Sequence, residues 1–396
     1  MRGLIVKNAT VILPAEVLQN TDVLIENGKI KAIGCFADAG DATVLDAEGK
    51  YLFPGFIDIH VHGGGNADFM DATPAAFETA ICTHLAHGTT LLYPTAMSAP
   101  EAELAAFIEA YHAFSRESKY AALAPGLHLE GPYFSGAGQH SSGAQKRDSL
   151  RLPDEAEANR LLALANGAIV RWDIAPELEG AVELGRMLVE KGVLVAVAHS
   201  DATAAETARA YDAGYSLVTH FYNGVSSHRK RVQTVLAGIV EATYLDDRVR
   251  VELIGDGCHI PREDIYLAMK IKGAENVSVI TDASRIAGTD LKSGRLGSLK
   301  TGTDIIVDNG VAKLPDLTSF AGSIATMDRC LRVLCADYGV DMPTASVLLS
   351  LAPAKCMGVE KTKGSIAEGK DADLVLVNRD LTIANVIVGG EILVGK

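Results

Sequence analysis

Residues 56–62 read FIDIHVH, a short apolar run that contains two histidines. Seven similar runs follow it along the chain: TTLLYPT (89–95), GLHLEGP (126–132), IVRWDIAPE (169–177), VLVAVAHSD (193–201), LVTHFYN (217–223), VELIGDG (251–257) and VSVITDA (277–283). Alanine-rich helical stretches such as PAAFETAICTHLAH (74–87) lie between them. Eight buried strands that alternate with helices predict an α/β fold, a (β/α)8 TIM barrel, over residues 54–359.

A doubly wound open sheet is the alternative arrangement of the same strands. The barrel is favoured because polar side chains able to bind metal follow six of the runs, and a barrel gathers those ends around one rim. The glycines of HGGGN (62–66) have neither of the spacings that cradle a phosphate, so a nucleotide site is not indicated there.

The two ends of the chain have a different texture, with short β-branched runs and glycine turns. Examples are DVLIENGKIKAIG (22–34), with its turn at Asn27-Gly28, and DADLVLVNRDLTIANVIVGGEILV (371–394). We therefore expect residues 1–53 and 360–396 to form one small β-sandwich domain beside the barrel.

Composition limits the possible partners. The 396 residues are 48% hydrophobic and 22% charged, which excludes a disordered chain, and the net charge of −14 disfavours nucleic acid and anionic lipid. We see no signal-peptide core and no apolar stretch long enough to span a bilayer, so the sequence predicts a cytoplasmic protein. The six cysteines lack C-x-x-C spacing and are expected to be free thiols.

His60 and His62 are two residues apart on a predicted strand, so both side chains face the same way and can share a metal ion. The alternative is a pair of separately hydrogen-bonded histidines.

Four more groups follow other strands: Glu130, His199, His220 and Asp282. Each would be costly to desolvate alone, and a shared cation removes that cost. A His, His and Glu set with one open position is a catalytic zinc arrangement. Four unrelated polar residues on the rim are the structural alternative.

Several motifs occur in a familiar order: PGFIDIHVHG (54–63), HLEGPYF (128–134), AHSDAT (198–203), THFYNG (219–224), DGCH (256–259), TDA (281–283), FAGS (320–323) and the tail from residue 350 to residue 378. With these motifs the chain resembles the amidohydrolase superfamily and, within it, the N-acetylglucosamine-6-phosphate deacetylase family. The resemblance covers almost the whole chain. PGFIDIHVHG and the tail mark only the superfamily, whereas HLEGP, THFYN and DGCH point to the deacetylases.

The resemblance implies a role for each matching residue. Glu130, His199 and His220 match the principal metal ligands, Asp282 the catalytic acid and base, and His60 and His62 a second-metal pair that only some members possess. His140, after Gln139, matches the histidine that touches the substrate carbonyl. The remaining matches are sugar contacts: Asn223, Gly224, His259, Phe320 and Ala321.

The chain also departs from the family. NGVSSHRKR (223–231) leaves the phosphate-binding arginine open between Arg229 and Arg231, and the offset from His220 favours Arg231. In the family this arginine reaches a neighbouring subunit, which implies a homodimer. TDASRIAG (281–288) puts Ser284 and Arg285 near the mouth, so the galacto epimer of the substrate stays open.

The implied activity is the metal-assisted hydrolysis of N-acetylglucosamine 6-phosphate to glucosamine 6-phosphate and acetate, in amino-sugar catabolism. Asp282 would take a proton from the attacking water and return it to the departing amine. One or two divalent ions are expected, and zinc, iron and manganese all suit the ligands. A cyclic-amide hydrolase would need a metal-bridging lysine after the fourth strand, where WDIAPE (172–177) has none. A catalytically dead scaffold would have lost ligands that are present here.

Overall fold

The computed structural model describes residues 3–38, 40–136, 142–231 and 233–395, and for Arg231 it describes the backbone alone. Eight parallel strands form a single sheet in which chain order is also spatial order. They are β1 (Phe56–Val61), β2 (Thr89–Ala96), β3 (Leu127–Glu130), β4 (Ile169–Ile174), β5 (Leu194–Val197), β6 (Leu217–Val218), β7 (Arg250–Ile254) and β8 (Val277–Ile280). The predicted barrel is confirmed, and each of its strands overlaps one of the eight runs quoted above.

β1 and β8 meet at their C-terminal ends. Val61 and Ala283 form a parallel bridge, and the Ala283 carbonyl accepts from the His62 N–H at 2.9 Å. Below them, the Thr281 hydroxyl donates to the Asp58 carboxylate at 2.5 Å. A buried carboxylate that receives hydrogen bonds is satisfied, so Asp58 helps to join β1 to β8.

Helices cover the outside of the barrel. Their ranges are Pro74–Ala86, Glu101–Glu117, Glu155–Ala165, Ala181–Glu190, Ala204–Asp212, Ile239–Leu245, Arg262–Lys272, Met327–Arg332, Met342–Ser346 and Ala352–Cys356. The local sequence determines where some of these helices begin. Thr73 caps the helix that starts at Pro74, and Thr203 forms a capping box with Glu206 at the start of another. Within the described ranges, no helix is both long and apolar enough to cross a membrane.

The two chain ends form a second sheet, as expected. Its strands are Leu4–Ile12, Val17–Glu26, Lys29–Gly34, Thr43–Asp46, Tyr51–Pro54, Leu374–Val377, Ile383–Val388 and Glu391–Val394. Leu374–Val377 pairs antiparallel with Tyr51–Pro54, which joins the end of the chain to its beginning. The sheet encloses its own apolar cluster, which includes Val6, Val23 and Leu376.

Three excursions at the rim were not predicted. Gly63–Gly64 pairs with Ala67–Asp68, and Arg229–Arg231 pairs with Thr234–Leu236. The largest is a three-stranded antiparallel sheet after β8, made of Ser293–Leu296, Thr303–Asp308 and Val311–Lys313. We call residues 293–313 the insertion.

Candidate active site

Six side chains that can bind metal meet at the C-terminal mouth of the barrel. His60 and His62 belong to the end of β1, and Glu130 ends β3; His199, His220 and Asp282 each stand two residues beyond β5, β6 and β8. All six are buried. The last three share a positive φ, of 43°, 28° and 49°. Left-handed backbone is strained for residues other than glycine and clusters at functional sites, so three equivalent strand ends carry the same strain.

Glu130, His199 and His220 form the first cluster. Glu130 Oε1 lies 2.8 Å from His199 Nε2 and 3.1 Å from His220 Nε2, and the two nitrogens are 3.2 Å apart. His220 Nδ1 lies 2.9 Å from the Asn223 carbonyl, which can only accept, so Nδ1 carries the proton. The lone pair of a neutral His220 is therefore on Nε2, directed at the other two ligands.

His60, His62 and Asp282 form the second cluster. The two Nε2 atoms are 3.2 Å apart, and Asp282 Oδ1 lies 3.2 Å from His62 Nε2 and 3.5 Å from His60 Nε2. His62 Nδ1 faces the Thr95 carbonyl at 3.3 Å, which again leaves Nε2 as the free nitrogen. The Asp282 backbone N–H donates to the His60 carbonyl at 3.0 Å. This contact fixes the carboxylate next to both imidazoles.

The donor sets fit divalent metal ions. In each cluster the ligand atoms lie within 4.8 Å of one another, and nitrogen lone pairs converge with carboxylate oxygens. Glu130 links the clusters, because its Oε2 is 3.4 Å from His62 Nε2. Imidazole and carboxylate together suit zinc, iron or manganese. The residues could thus hold one ion in each cluster, with Glu130 between them.

Burial and charge oppose each other at these groups. Burial would raise the pKa of Glu130, but hydrogen bonds with His199 and His220 hold it well below its usual range. Burial would lower the pKa of His220, but Glu130 raises it to about 9 by hydrogen bond and charge. Burial lowers the pKa of His60 well below its usual range. The carboxylates therefore favour positive charge at this site, which protonated imidazole or a cation can supply.

Gln145 was missed by the sequence analysis. Its Nε2 donates to Glu130 Oε2 at 2.7 Å, and its Oε1 accepts from the Ser98 N–H at 3.0 Å. This buried amide orients the carboxylate that links the two clusters. The only signal was its place, 15 residues beyond Glu130 in a loop, which does not identify a contact.

A buried ionic network under the site was also missed. Arg171, fully buried on β4, bonds Asp173 at 3.0 and 3.1 Å, Thr219 at 2.8 Å, and both oxygens of Glu252. Glu252 Oε2 lies 3.6 Å from His60 Nδ1. His60 Nδ1 has no hydrogen-bond partner among the described residues, so at this distance the carboxylate acts on the ring by charge and not by a hydrogen bond. The charged residues inside the apolar runs IVRWDI and VELI could have predicted this network, because a single charge buried there would lack a partner.

The cleft above the clusters has a lining that includes several expected sugar contacts: Asn223, Gly224, His259 and Phe320. Asn223 Nδ2 is buried and has no hydrogen-bond partner among the described residues. His259 packs against Phe320 with ring centroids 4.4 Å apart and planes tilted by 46°, and its Nδ1 is 2.9 Å from Asp256 Oδ2. The aspartate thus fixes the ring with Nε2 available to a ligand.

The remaining expected residues either fall outside the described part of the chain or are absent from the lining of the cleft. Gln139 and His140 fall outside the described residues, as does the Arg231 side chain. Arg229 is directed at Asp201, with Nη1 at 3.5 Å from its carboxylate. Ala321 is fully buried beside the cleft, and its N–H donates to the Ala312 carbonyl.

Ser284 and Arg285, expected near the mouth, follow Asp282 in the chain and are both buried. Ser284 Oγ donates to the Ser323 carbonyl at 3.0 Å. Arg285 is not among the residues that line the cleft, and it bonds Asp71 at 2.9 and 3.2 Å. The hydrogen-bond donors of Arg285 are used by the protein's own groups, so few remain for a ligand. Arg285 also donates to the carbonyls of Arg295 and Gly297 and so holds the insertion.

Comparisons with known proteins agree with this geometry. The profile of the amidohydrolase family matches residues 51–393. An N-acetylglucosamine-6-phosphate deacetylase from Lysinibacillus sphaericus is 32% identical over 99% of this chain and 98% of its own. An N-acetylgalactosamine-6-phosphate deacetylase from Escherichia coli O157:H7 is 30% identical over 95% of both chains.

A solved structure is equally similar over the full length. It is a mutant N-acetyl-D-glucosamine-6-phosphate deacetylase from Mycobacterium smegmatis in complex with N-acetyl-D-glucosamine-6-phosphate. It superposes with a TM-score of 0.89 at 32% identity, covering 100% of each chain.

Proposed function

Because the chain belongs to the amidohydrolase family, we propose that it is a metal-dependent hydrolase of a linear amide. Its substrate is N-acetylglucosamine 6-phosphate, which it converts to glucosamine 6-phosphate and acetate in amino-sugar catabolism. The observation that carries the proposal is the meeting of Glu130, His199, His220 and Asp282 in one cleft. The names of the full-length relatives supply the substrate.

The metal-binding residues are Glu130, His199 and His220 for one ion and His60, His62 and Asp282 for a second. A divalent ion held by these residues would supply Lewis-acid chemistry, which polarises an amide carbonyl and activates water. The chain's own residues handle the protons. Asp282 takes a proton as the new C–O bond forms, then gives it to the nitrogen as the C–N bond breaks. The amine needs that proton because the free amide anion is too basic to leave.

Substrate contacts follow from the lining of the cleft. The Asn223 amide, the Gly224 backbone and the His259 ring face the sugar, and Phe320 closes over it beside Ala321. Gln139 and His140 are proposed to reach the acetyl carbonyl. Arg231, with Arg229 as the alternative, is proposed to bind the phosphate. The acidic background of the chain makes a dedicated arginine necessary for an anion.

Four further features belong to this proposal. The enzyme is cytoplasmic and a homodimer, in which the phosphate-binding arginine reaches the neighbouring subunit. Residues 1–53 and 360–396 form the small domain, and residues 54–359 form the catalytic one. Zinc, iron or manganese serves as the ion.

The direct test measures acetate release by metal-loaded protein from N-acetylglucosamine 6-phosphate and from its galacto epimer. Unphosphorylated N-acetylglucosamine is the control for phosphate recognition. We expect turnover of the gluco substrate and poor turnover of the control. The galacto epimer is the second candidate, because a relative of that name is 30% identical. Acetate release from neither phosphorylated sugar would overturn the proposal.

The number of ions is tested separately. The double change His60→Gln, His62→Asn should lower metal content by up to about one equivalent and reduce activity moderately, because the other cluster keeps its three ligands. Metal content is read by elemental analysis. Unchanged metal content would make the pair structural, and complete inactivity with the first cluster still loaded would make the second ion essential.

A further inference from the structure

The cleft has two chemically different sides. Asn223 and Gly224 follow β6 and His259 follows β7, and these residues offer polar groups. Met97 follows β2 and Ala144 lies in the loop after β3, and the side chains of these two residues are apolar. In a closed eight-stranded barrel the second and third strands lie opposite the sixth and seventh. The apolar wall therefore faces the polar one across the metal-binding groups.

The insertion completes the apolar wall. Leu296 lines the cleft from the end of the strand Ser293–Leu296, and it belongs to one apolar cluster with Met97 and Ala144. Leu296 is 3% exposed and Met97 is 8% exposed. Both side chains are thus packed, with one edge turned toward the cleft.

A second, smaller cavity lies behind this wall. Its volume is about 30 Å³, and its lining includes Met70, Ala99 and Thr303. Met97 and Leu296 line both this cavity and the cleft. These two side chains are consequently the partition between them, and we use that name for the pair.

The partition is fixed from the side of the insertion. The residues that flank Leu296 are both held by Arg285, which donates to the Arg295 carbonyl at 2.6 Å and to the Gly297 carbonyl at 2.7 Å. The Gly297 N–H donates to Asp68 at 3.0 Å. Buried hydrogen bonds to a charged group are strong and directional. Leu296 cannot easily swing out to admit a larger ligand.

On the proposed deacetylase function, we infer that the partition of Met97 and Leu296 sets the length of the acyl group that the enzyme removes. A planar trans amide places its two carbon substituents on opposite sides of the C–N bond. Sugar hydroxyls and phosphate require the polar side, so the acyl carbon points to Met97 and Leu296. Acetyl ends at the partition, and each further methylene would have to displace it.

The experiment compares three substrates: the N-acetyl, N-propionyl and N-butyryl forms of glucosamine 6-phosphate. Metal-loaded wild type, Leu296→Ala and Met97→Ala are assayed for kcat/KM on each. Leu299→Ala is the matched control, since this leucine belongs to the same insertion and is 60% exposed. Thermal unfolding and metal content establish that each variant is folded and loaded.

We expect the ratio of kcat/KM for N-propionyl over N-acetyl to rise by about tenfold or more in Leu296→Ala, since one methylene in an apolar pocket changes rates by that order. Met97→Ala should move the ratio in the same direction, and Leu299→Ala should leave it at the wild-type value. A wild-type ratio in both folded partition variants would overturn the inference while leaving the proposed function intact. Failure of wild type on all three substrates would instead overturn the proposed function and the inference with it.

Discussion

Asp282 is positioned by backbone hydrogen bonds that do not use its carboxylate. Its N–H donates to the His60 carbonyl at 3.0 Å, and its carbonyl accepts from the Ser323 N–H at 2.7 Å. These two contacts do not depend on the side chain. They hold the residue at φ 49°, a conformation that few residues adopt without support.

Asp282→Asn should therefore keep the fold and the ions of the first cluster but lose turnover by about 10²–10⁴-fold, because an amide cannot carry the proton. Steady-state kinetics and elemental analysis measure the two effects. Asp212→Asn, at an exposed carboxylate at the end of a barrel helix, is the matched control. Turnover within about tenfold of wild type would remove Asp282 from proton transfer.

His84 shows how a residue outside the site responds to pH. It is fully buried, and its Nε2–H donates to the Gly63 carbonyl at 2.9 Å. Burial lowers its pKa from 6.5 to about 4. The unfolded chain therefore binds a proton below pH 6.5 that the folded chain accepts only near pH 4. His84 contributes stability above pH 6.5, and that contribution is lost as the pH falls toward 4.

We expect His84→Gln to weaken this acid sensitivity, because glutamine can still donate an N–H but does not titrate. The free energy of unfolding of wild type should fall by up to about 3 kcal/mol more than that of the variant between pH 6.5 and pH 4. Urea unfolding at several pH values measures this. His112→Gln, at a histidine that faces the Leu164 carbonyl at 3.1 Å, controls for the substitution. Parallel pH profiles for wild type and His84→Gln would contradict the prediction.

At the scale of elements, the barrel strands were predictable and the insertion was not recognised. Each barrel strand is buried on both faces and so appears as a continuous apolar run. The insertion is short, partly exposed and mixed in composition, so its pattern is weaker. Asn309-Gly310, between the runs TDIIVD and VAK, was the available signal, since Asn-Gly favours a tight hairpin.

The insertion depends on Arg285 for its attachment. Arg285 is 1% exposed and connects the carbonyls of Arg295 and Gly297 to Asp71 in the loop after β1. Removal of the guanidinium takes the donor from the carbonyls of Arg295 and Gly297, and each buried acceptor left unsatisfied costs about 1–3 kcal/mol. Arg285→Met should thus speed amide hydrogen exchange in residues 293–313 while the barrel strands keep wild-type rates.

Hydrogen exchange with mass spectrometry tests this at peptide resolution. Arg295→Met is the matched control, because that arginine is on the same insertion in an exposed pair with Asp304 and exposed pairs contribute about 0–1 kcal/mol. Equal exchange in both variants, or a uniform increase across the barrel, would show that Arg285 has no specific hold on the insertion.

The candidate site shows which contacts a sequence can reveal. His60, His62, Glu130, His199 and Asp282 were predictable because strand parity and strand ends place them on one rim. The contacts of long side chains in loops cannot be predicted in this way, because the residue spacing in a loop does not fix the direction of a side chain. Gln145 and Arg229 are the examples: the first contacts Glu130, and the second is directed at Asp201 instead of the cleft.

At the scale of the whole molecule, the barrel interior is organised around one buried cation. Arg171 contacts groups from four strands or their ends: the Ile59 carbonyl on β1 at 3.0 Å, Asp173 on β4, Thr219 after β6 and Glu252 on β7. Asp173 also lies 2.9 Å from His128 Nε2 on β3. These contacts span the inside of the barrel just below the metal-binding groups, so the catalytic mouth and the core share one ionic layer.

The loss of that cation should therefore destabilise the entire fold. Arg171→Met leaves the buried carboxylates of Asp173 and Glu252 without their cation, and removal of one member of a buried ion pair costs about 3–5 kcal/mol. Chemical unfolding of metal-free protein measures the effect without the contribution of bound ions. Arg248→Met is the matched control, because Arg248 pairs with Asp212 and Asp246 at the surface with 61% of its side chain exposed, and such pairs contribute about 0–1 kcal/mol. If Arg171→Met unfolds within about 1 kcal/mol of wild type, the buried carboxylates do not depend on the guanidinium, and the fold is not organised around it.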